Sequence, residues 1–389
     1  MRRRVAKEIV NTRREFVRNV SCASAGLALA GSWACSESTK KILILGGTGF
    51  IGPHMVSYAI ERGHDVTVFT RGRSPVELPI EVEHLLGDRN DDYSALMGRE
   101  WDTVLDNNAQ DYRWVQKSTE LLRDVVEHYV FVSSISAYAV EGGFGWENAH
   151  RILTEPIIDE GYPTIEGPEG WKYGDDAPYG LMKALSEKIV QETFPGRATV
   201  VRPGLIVGPR DPTDRFTYWP VRMAEGGEVL APGNPEHAIQ VIDQRDLTEW
   251  IVRMAETKIV GEFNATGPAE RMSMQVMLDQ VGSSSSSWLA REVSPYELTW
   301  VPEVFLEEQG LSPWRDFPAW TPGDPLQLVD IDAAIQAGLS FRPLSLTVTD
   351  TLDWWETLRP DQRNDPKAGM GRDKEREVLD LWRNQNLQS

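Results

Sequence analysis

Residues 40–52 read Lys40-Lys41-Ile42-Leu43-Ile44-Leu45-Gly46-Gly47-Thr48-Gly49-Phe50-Ile51-Gly52, and this stretch decides the fold. Its apolar first half predicts a parallel β-strand that is buried on both faces. The spacing of apolar residues over 50–62 predicts a helix that ends at Gly63. A second predicted strand at 65–69 completes a βαβ unit of about thirty residues.

The alternation of strands and helices continues through the first half of the chain. Further strands are predicted at 82–86, 102–106, 129–133 and 198–202, and further helices at 112–128 and 179–194. This pattern predicts an α/β fold with a Rossmann-type doubly wound parallel sheet and a smaller C-terminal α/β lobe.

We divide the chain into four segments. A leader at 1–34 precedes a Rossmann domain at 40–203, which carries an irregular lid insertion at 139–178. A substrate lobe is expected at 204–350 and a C-terminal helical tail at 351–389, with a helix over 373–384. Within the lobe, the polar run 283–287 predicts a flexible loop.

The leader carries a twin-arginine pattern, Thr12-Arg13-Arg14-Glu15-Phe16-Val17-Arg18. The weakly apolar run that follows is too short to span a membrane, and small residues at 32 and 34 suit cleavage after Ala34. We therefore expect a twin-arginine export signal and a periplasmic or otherwise exported protein; a disordered basic N-terminus is the alternative. Cys35 leaves a lipid anchor open, which is the only membrane attachment that we expect.

Charge and composition argue against several functions. Residues 1–34 hold seven Lys/Arg and two Asp/Glu, so the rest of the chain has 33 basic and 57 acidic residues, a net charge of −24. So acidic a surface repels phosphate backbones, and we expect no nucleic-acid partner. Cys22 and Cys35 are the only cysteines and the six histidines are scattered, so we predict no disulfide framework and no metal site.

Gly46, Gly49 and Gly52 have the spacing of a dinucleotide-binding turn between a strand and a helix. The first glycine allows a tight turn, the second lets the backbone approach a pyrophosphate, and the third lets the helix pack on the strand. Phe50 and Ile51 complete the predicted turn. A packing turn without a ligand is the alternative.

The second strand is followed by Thr70-Arg71-Gly72-Arg73, where NAD-selective sites usually have an acidic residue for the ribose hydroxyls. The guanidinium groups of Arg71 and Arg73 suit a 2′-phosphate, so we expect NADP as the cofactor. NAD is the alternative, with both arginines as solvated surface charges. Asp88, after the third strand, is expected either at the adenine edge or as a loop cap.

Tyr179 and Lys183 lie one helical turn apart, and Ser134 lies at the end of the fifth predicted strand. A free tyrosine, with a pKa of about 10, is a poor base at neutral pH. A nearby ammonium and a cationic nicotinamide would stabilise its phenolate, while Lys183 would also hold the nicotinamide ribose and Ser134 would bind the substrate oxygen. The alternative is a helix-start tyrosine with an exposed lysine.

These motifs resemble the extended short-chain dehydrogenase/reductase superfamily, in its NAD-dependent epimerase/dehydratase branch, over about residues 40–350. The resemblance is carried by the glycine turn, by Tyr179 and Lys183, and by the segments 132–138, 202–209 and 242–247. It implies a Rossmann fold, a catalytic set of Ser134, Tyr179 and Lys183, and a substrate site lined by Ser136. Family members often pair through a four-helix interface that includes the Tyr179 helix, so a homodimer is one expectation.

Two departures bear on the substrate. Nucleotide-sugar epimerases usually have Asn where Leu205 stands and Arg where Ile239 stands, which argues against a UDP-sugar. The chain has fourteen tryptophans, and several fall in the predicted lid and lobe, where they would suit a carbohydrate-like ligand: Trp146, Trp171, Trp219, Trp314 and Trp320.

We therefore expect an oxidoreductase acting on a small carbonyl or alcohol, with a sugar-like substrate as one option. One alternative is an epimerase or dehydratase that recycles a tightly bound cofactor, and another is a non-catalytic nucleotide-binding protein. A chloroplast RNA-binding subgroup is similar at the glycine turn, but the acidic charge and the presence of Tyr179 and Lys183 argue against that role.

Overall fold

The computed structural model describes residues 39–107, 109–141, 146–288 and 294–387. The predicted leader, with Cys22, and Cys35 lie outside these ranges, as does the side chain of Trp146. Within them, no helix combines the length and the apolar character needed to cross a membrane.

The described residues form thirteen β-strands and eleven α-helices. The strands are β1 (Lys41–Leu45), β2 (Asp65–Thr70), β3 (Glu83–Leu86), β4 (Trp101–Asp106), β5 (Val126–Val132), β6 (Ala198–Pro203), β7 (Leu205–Val207), β8 (Gly227–Pro232), β9 (Ala238–Ile239), β10 (Val241–Asp243), β11 (Gly261–Ala265), β12 (Met272–Ser273) and β13 (Tyr296–Val301). The helices are α1 (Gly52–Glu61), α2 (Tyr112–Leu122), α3 (Tyr179–Thr193), α4 (Tyr218–Ala224), α5 (Gln244–Thr257), α6 (Met274–Trp288), α7 (Glu303–Glu308), α8 (Asp332–Gln336), α9 (Leu344–Thr357), α10 (Pro360–Arg363) and α11 (Arg372–Asn386).

Seven parallel strands form the central sheet, in the order β11-β6-β5-β4-β1-β2-β3. Ile42 of β1 lies opposite Val66 of β2 on one side and opposite Thr103 of β4 on the other. The strand order reverses direction between β1 and β4, and ligands of such sheets bind outside the carboxyl ends at this point. The predicted fold class, a Rossmann-type parallel α/β sheet, is confirmed.

The apolar run in β1 is explained by helices on both faces of the sheet. Ile42 and Ile44 contribute to a core that contains residues of α1 and α5, and Leu43 and Leu45 to a core that contains residues of α2 and α3. All four side chains are fully buried. Each such burial is worth about 1.5–3 kcal/mol relative to exposure, so a strand covered on both sides is apolar throughout.

A separate core lies in the C-terminal half. It includes Trp219 of α4, Met277 of α6, Val348 of α9 and Val378 of α11. The C-terminal helix predicted at 373–384 is therefore packed into this core rather than free. A buried ion pair between Arg222 and Glu375, with Nε and Oε2 2.8 Å apart, fixes it there.

The seventh strand of the sheet comes from the range 204–350 that was assigned to the substrate lobe. β11 pairs with β6, with Phe263 opposite Val201, and α5 packs against α1. The chain thus leaves the sheet after β6, contributes β7 to β10 elsewhere, and returns. The Rossmann layer and the C-terminal core interleave along the chain instead of meeting at residue 203.

The polar run 283–287 is helical, so the predicted flexible loop is wrong. It forms the end of α6, which packs against α4 and α9. The Ser284 and Ser287 hydroxyls donate to the carbonyls of Gln280 and Ser283 at 2.7 and 2.9 Å, and Ser285 is buried. Tertiary packing and hydrogen bonds within the helix override a weak helix propensity here.

The helix predicted at 112–128 also ends too late. α2 stops at Leu122, and β5 begins at Val126, which pairs with Trp101 of β4. The residues that follow Leu122 belong to the turn that brings the chain back to the sheet. Pairing with β4 therefore determines the conformation of residues 126–128, although their sequence pattern predicts a helix.

The described part of the predicted lid is irregular but anchored. The Gly174 amide donates to the Tyr112 hydroxyl at 2.7 Å, and that hydroxyl donates to the Asp175 carbonyl at 3.1 Å. Arg113 pairs with Asp176 at 3.1 Å. These contacts fix the approach of the chain to Tyr179 against the start of α2.

The glycine turn is shaped by steric limits that differ between its members. A Cβ on Gly52 would overlap the backbone of Gly47, and one on Gly47 would lie 2.8 Å from Val68 Cγ1. Gly47 also has a φ of 75°, a value that disfavours other residues. A Cβ on Gly49 would meet nothing within 4 Å.

We expect Gly52→Ala to lower the free energy of unfolding by about 1–3 kcal/mol, because the added methyl must push α1 away from the turn. Gly49→Ala is the matched control and should unfold like the wild type. Urea unfolding of both variants, followed by circular dichroism, measures the difference. Equal stabilities for the two variants would contradict this account of the turn.

Candidate active site

A cavity of about 160 Å³ lies where β1, β2 and β3 end. It is lined by Gly46 and Thr48 of the glycine turn, by Arg71 and Arg73 after β2, and by Asp88 after β3. Four residues that the sequence predicts as nucleotide ligands, both arginines among them, are thus brought together around one space.

The remaining predicted nucleotide residues lie beside this cavity. Ile51 and Gly52 stand at the start of α1, where Ile51 packs into the core. Phe50 lines the neighbouring cleft. Gly49 lies in the turn itself and does not line the cavity.

The cavity suits a dinucleotide. The space at Gly49 leaves the backbone open to close approach, and Gly46 has a φ of 117° that only glycine adopts easily. α1 begins immediately after the turn, so its unpaired amides are available to an anion at this end. Gly46, Thr48, Arg71, Arg73 and Asp88 would hold the nucleotide.

Asp88 is an ionised carboxylate facing two cations. Its Oδ1 accepts hydrogen bonds from the amide and the side chain of Asn90 at 3.0 and 2.7 Å. The backbone hydrogen bond from Asn90 lowers the pKa of Asp88 most, and the charges of Arg71 and Arg73 lower it further. The arginines therefore already have an anionic neighbour on one side of the cavity.

A buried ion pair supports this cavity, and sequence reasoning did not find it. Arg89 donates to both carboxylate oxygens of Asp106 at 2.6 and 2.7 Å, and Asp106 is completely buried. The Tyr129 hydroxyl donates to Asp106 at 2.8 Å, and Arg89 also donates to the Ser118 hydroxyl at 3.0 Å. Arg89 follows the quoted Asp88 directly, but its partner lies on another strand.

A larger cleft of about 910 Å³ adjoins the glycine turn. Ser134, Ser136, Tyr179 and Phe50 line its Rossmann side. The two predicted catalytic hydroxyls, those of Ser134 and Tyr179, and the predicted substrate residue Ser136 are therefore on one cleft.

Tyr179 is the first residue of α3 and is 56% exposed, toward the cleft. Loss of solvation in the cleft raises its pKa above the ordinary value, although a hydrogen bond with Ser134 and the charge of Arg215 oppose that change. In the absence of a bound nucleotide the tyrosine is therefore a neutral acid at physiological pH.

Lys183 is buried one turn further along α3. Its Nζ donates to the carbonyl of Val132 at 2.9 Å and lies 5.8 Å from the centre of the Tyr179 ring. Burial lowers the pKa of Lys183 from 10.5 to about 8, against the opposing charges of Asp106 and Glu187. The ammonium is thus still the main form at neutral pH, held close to the tyrosine by a backbone acceptor.

A second buried network lies under the serine pair. Glu187, one turn after Lys183, accepts hydrogen bonds from the hydroxyl of Ser133 and from Arg202, whose Nη2 lies 2.7 Å from Oε2. Arg202 also donates to the Tyr138 hydroxyl at 3.0 Å, and that hydroxyl donates to Asn264 at 2.6 Å. The position of Glu187, four residues after Lys183, was a usable signal that sequence reasoning missed.

The opposite wall of the cleft comes from the C-terminal half, and no local motif marked it. Its polar side chains include Gln240, Thr321, Asp324 and Gln327. Asp324 is 3% exposed, and burial raises its pKa above the ordinary value. One of its oxygens accepts a hydrogen bond from the Leu326 amide at 2.9 Å.

The tail also reaches this cleft. Lys367 lines it, and the Lys367 amide donates to the Asp214 carboxylate at 3.0 Å. The Gly369 amide donates to the carbonyl of Arg315 at 3.0 Å. Among the residues that the structure describes, no three His, Cys, Asp or Glu side chains are arranged to hold a metal ion.

We expect Lys183→Met to reveal the cost of burying this ammonium. The folded pKa lies below the unfolded one, so the unfolded chain binds more protons between pH 8 and pH 10.5. The wild type should therefore gain stability relative to the variant as the pH rises through that window, by on the order of 3 kcal/mol in total. Urea unfolding of nucleotide-free protein across that range measures it.

Lys188→Met is the matched control, since Lys188 lies on the same helix with its side chain 72% exposed. Its stability difference from the wild type should not change with pH. A flat difference for Lys183→Met as well would mean that the Lys183 pKa is not lowered.

The sequence of this chain is similar to a known protein family and to several characterised proteins. A family model described as the NAD dependent epimerase/dehydratase family matches residues 42–265. The chain is 38% identical over 122 residues to the chloroplast stem-loop binding protein of 41 kDa b from Arabidopsis thaliana, covering 27% of this chain and 32% of that protein. It is 31% identical over 179 residues to a 2-alkyl-3-oxoalkanoate reductase from Stenotrophomonas maltophilia, covering 44% and 52%. It thus spans about a third to a half of these two relatives.

Solved structures share the fold over most of the chain. A UDP-N-acetylglucosamine 4-epimerase from Methanobrevibacter ruminantium, in complex with UDP-N-acetylmuramic acid, matches with a TM-score of 0.59 at 15% identity, over 82% of this chain and 99% of that one. A UDP-glucuronic acid 4-epimerase from Bacillus cereus, in complex with NAD, matches with a TM-score of 0.53 at 17% identity, over 82% and 99%. The family model and these folds agree: the chain belongs to the NAD-dependent epimerase/dehydratase family of enzymes.

Proposed function

We propose that the chain is an NADP(H)-dependent oxidoreductase that interconverts an alcohol and a carbonyl on a small, hydroxyl-bearing, sugar-like molecule. The observation that carries the proposal is the meeting of Ser134 and Tyr179 on one cleft, with the Lys183 ammonium 5.8 Å from the tyrosine ring. Two relatives give it further support, because they are named as reductases, one of an oxoalkanoate and one of a dTDP-linked deoxyallose.

Tyr179 is the group that moves the proton between its hydroxyl oxygen and the substrate oxygen. Its raised pKa makes it a proton donor in the direction of carbonyl reduction. In the reverse direction it must become a phenolate, and the charges of Lys183 and Arg215 favour that form. A bound nicotinamide supplies or takes up the hydride.

Ser134 orients the substrate oxygen. Its Oγ accepts a hydrogen bond from the Ser136 amide at 3.1 Å, and its hydroxyl proton, which is directed to Tyr179, would be donated to a substrate oxygen bound beside that tyrosine. A donor at this place stabilises the oxygen as negative charge develops on it. Across the cleft, Asp324 and Gln327 offer groups that can bind substrate hydroxyls.

We expect Tyr179→Phe to lower turnover by about 10²–10⁴-fold, the usual contribution of a positioned acid or base. Nucleotide binding should stay near the wild-type affinity, since the ring is retained. The assay follows NADPH oxidation with hydroxy ketones, lactones and oxidised glycosides as substrates. Tyr173→Phe is the control, because this lid tyrosine packs on Tyr112 away from the cleft. Retained turnover in Tyr179→Phe would refute the catalytic assignment.

We propose NADP rather than NAD because Arg71 and Arg73 line the nucleotide cavity, although the similar UDP-glucuronic acid 4-epimerase is in complex with NAD. Replacing both arginines with Ala should weaken NADPH binding by about 10–100-fold, as expected for lost charge-assisted hydrogen bonds, and change NADH binding little. Arg99→Ala, which breaks an exposed pair with Glu83, is the control. Calorimetric titration with both nucleotides measures this, and equal losses for the two would contradict it.

The second candidate function is that of an epimerase or dehydratase, in which the cofactor is reduced and reoxidised within one catalytic cycle. It is favoured by the similarity of the fold to two 4-epimerases, each over 82% of the chain. An epimerase or dehydratase leaves the amount of NADPH unchanged while product accumulates, whereas a reductase consumes it in proportion to product. The same assay therefore separates the two.

A non-catalytic role in binding nucleic acid is disfavoured by electrostatics. The chloroplast relative is named for binding a stem-loop, and its match covers 27% of this chain. The net charge of this chain is −19, which repels a phosphate backbone. Arg71 and Arg73 at the nucleotide cavity are local charges, as suits the single 2′-phosphate of NADP.

A further inference from the structure

The cleft contains an arginine, Arg215, that has no direct ion pair with a carboxylate of the described residues. Arg215 lies in the loop between β7 and α4 and lines the cleft together with Tyr179. Its Nε donates to the Thr213 hydroxyl at 2.7 Å, and its guanidinium carbon lies 5.1 Å from the centre of the Trp314 indole ring. Across the described ranges, no Asp or Glu oxygen forms an ion pair with it.

The other cations of the cleft differ from Arg215 in this respect. Arg315 is paired with Asp316 at 2.8 Å, and Lys367 with Asp365 at 2.5 Å. Both of these side chains are more than half exposed, whereas Arg215 is half-buried. Partial removal of a charge from water without a direct counterion is costly, and an anionic ligand bound beside Arg215 would offset that cost.

The acids of the same loop are used elsewhere. Asp211 is almost completely buried and accepts hydrogen bonds from the amide and hydroxyl of Thr213. Asp214 accepts one from the Lys367 amide. Asp211 is linked to Arg215 through the Thr213 hydroxyl, and neither acid forms a direct ion pair with the guanidinium among the described residues, in a chain where acidic residues outnumber basic ones by 19.

The loop holds Arg215 in a fixed position. Asp214 has a φ of 53° and Arg210 a φ of 74°, a region that non-glycine residues rarely occupy. Such conformations persist when surrounding contacts enforce them, and they are common at ligand sites. The hydrogen bond from the tail to Asp214 is one of these contacts.

We propose that Arg215, stacked on Trp314 and held by Thr213, binds an anionic group of the substrate, a carboxylate or a phosphate on a hydroxyl-bearing carbon skeleton. This inference rests on the proposed function, since it names the class of substrate for the same cleft. A planar guanidinium stacked on an aromatic ring keeps its outer nitrogens free for two parallel hydrogen bonds to an oxyanion. The polar wall with Asp324 and Gln327 would take the hydroxyls.

This anion site is separate from the two positions at which nucleotide-sugar epimerases differ from this chain. Ile239 is 2% exposed within the C-terminal core, and Leu205 is an apolar part of the cleft wall. Arg215 comes from neither position. It is also absent from the cavity that would hold the nucleotide phosphates.

The test measures binding of glucuronate, glucose 6-phosphate and glucose to the protein loaded with NADP⁺, by calorimetry and by tryptophan fluorescence. The wild type should bind at least one of the two anions about tenfold or more tightly than glucose. Arg215→Gln should lose this preference, and Arg215→Lys should recover part of it. The preferred anion identifies the group as carboxylate or phosphate.

Arg315→Gln is the matched control, because it removes a charge that is already paired at the same cleft; it should keep the anion preference. The melting temperature of each variant is measured alongside, and the partial recovery in Arg215→Lys separates a charge effect from misfolding. Equal binding of glucose and both anions, binding of none of them, or an Arg215→Gln variant with unchanged preference would overturn the inference.

Failure of this inference and failure of the proposed function have different signatures. Binding is measured without turnover, so an anion preference that depends on Arg215 stands even if no carbonyl compound is reduced. Conversely, turnover of neutral hydroxy ketones without any preference for anions would keep the oxidoreductase and remove the anion site. A second readout is the pH profile of turnover, which should shift upward in Arg215→Gln because the charge of Arg215 lowers the pKa of Tyr179.

Discussion

The active site depends on the buried ion pair between Glu187 of α3 and Arg202 of β6. Both side chains are less than 5% exposed, and Arg202 donates to both carboxylate oxygens. Glu187 also accepts a hydrogen bond from the hydroxyl of Ser133, next to Ser134. The pair thus joins the helix that carries Tyr179 and Lys183 to the strand ends that carry Ser134. Breaking such a pair from one side costs about 3–5 kcal/mol, so the three proposed catalytic groups keep a common frame.

A similar pair, Arg89 with Asp106, supports the nucleotide side. Asp106 ends β4 and Arg202 lies near the end of β6, with β5 between them. Tyr129 of β5 donates to Asp106. Lys183 responds to both networks, because the charges of Asp106 and Glu187 raise its pKa and that of Arg89 lowers it. The nucleotide cavity and the substrate cleft therefore share one rigid edge of the sheet. Lys183 lies between the two networks, where the charges of both act on its ammonium.

The sequence predicted those parts of the molecule whose structure is determined by residues close together in the chain. The sheet follows from apolar strands alternating with helices, and the turn residues follow from their spacing. Arg71 and Asp88 share a cavity because adjacent parallel strands end at the same edge. By contrast, Arg215, Trp314 and Lys367 reach one cleft from separate stretches of the C-terminal half, where no period or motif relates them. The loop prediction for the serine-rich end of α6 failed for the same reason, because packing on helices that are distant in sequence decides the conformation of this segment.

The C-terminal tail is synthesised last, so its contacts with the cleft form after the rest of the chain has been made. The sheet and its glycine turn are complete once β11 has been made. The cleft, however, is finished only by the hydrogen bond from Lys367 to Asp214 and by the pairing of Glu375 with Arg222. About a hundred residues of chain therefore separate the last strand of the sheet from the tail contact at the cleft, a length of the size of a small domain. A chain that stopped before residue 367 would lack both contacts, and its cleft would lack the part of the wall that Lys367 and Ala368 supply.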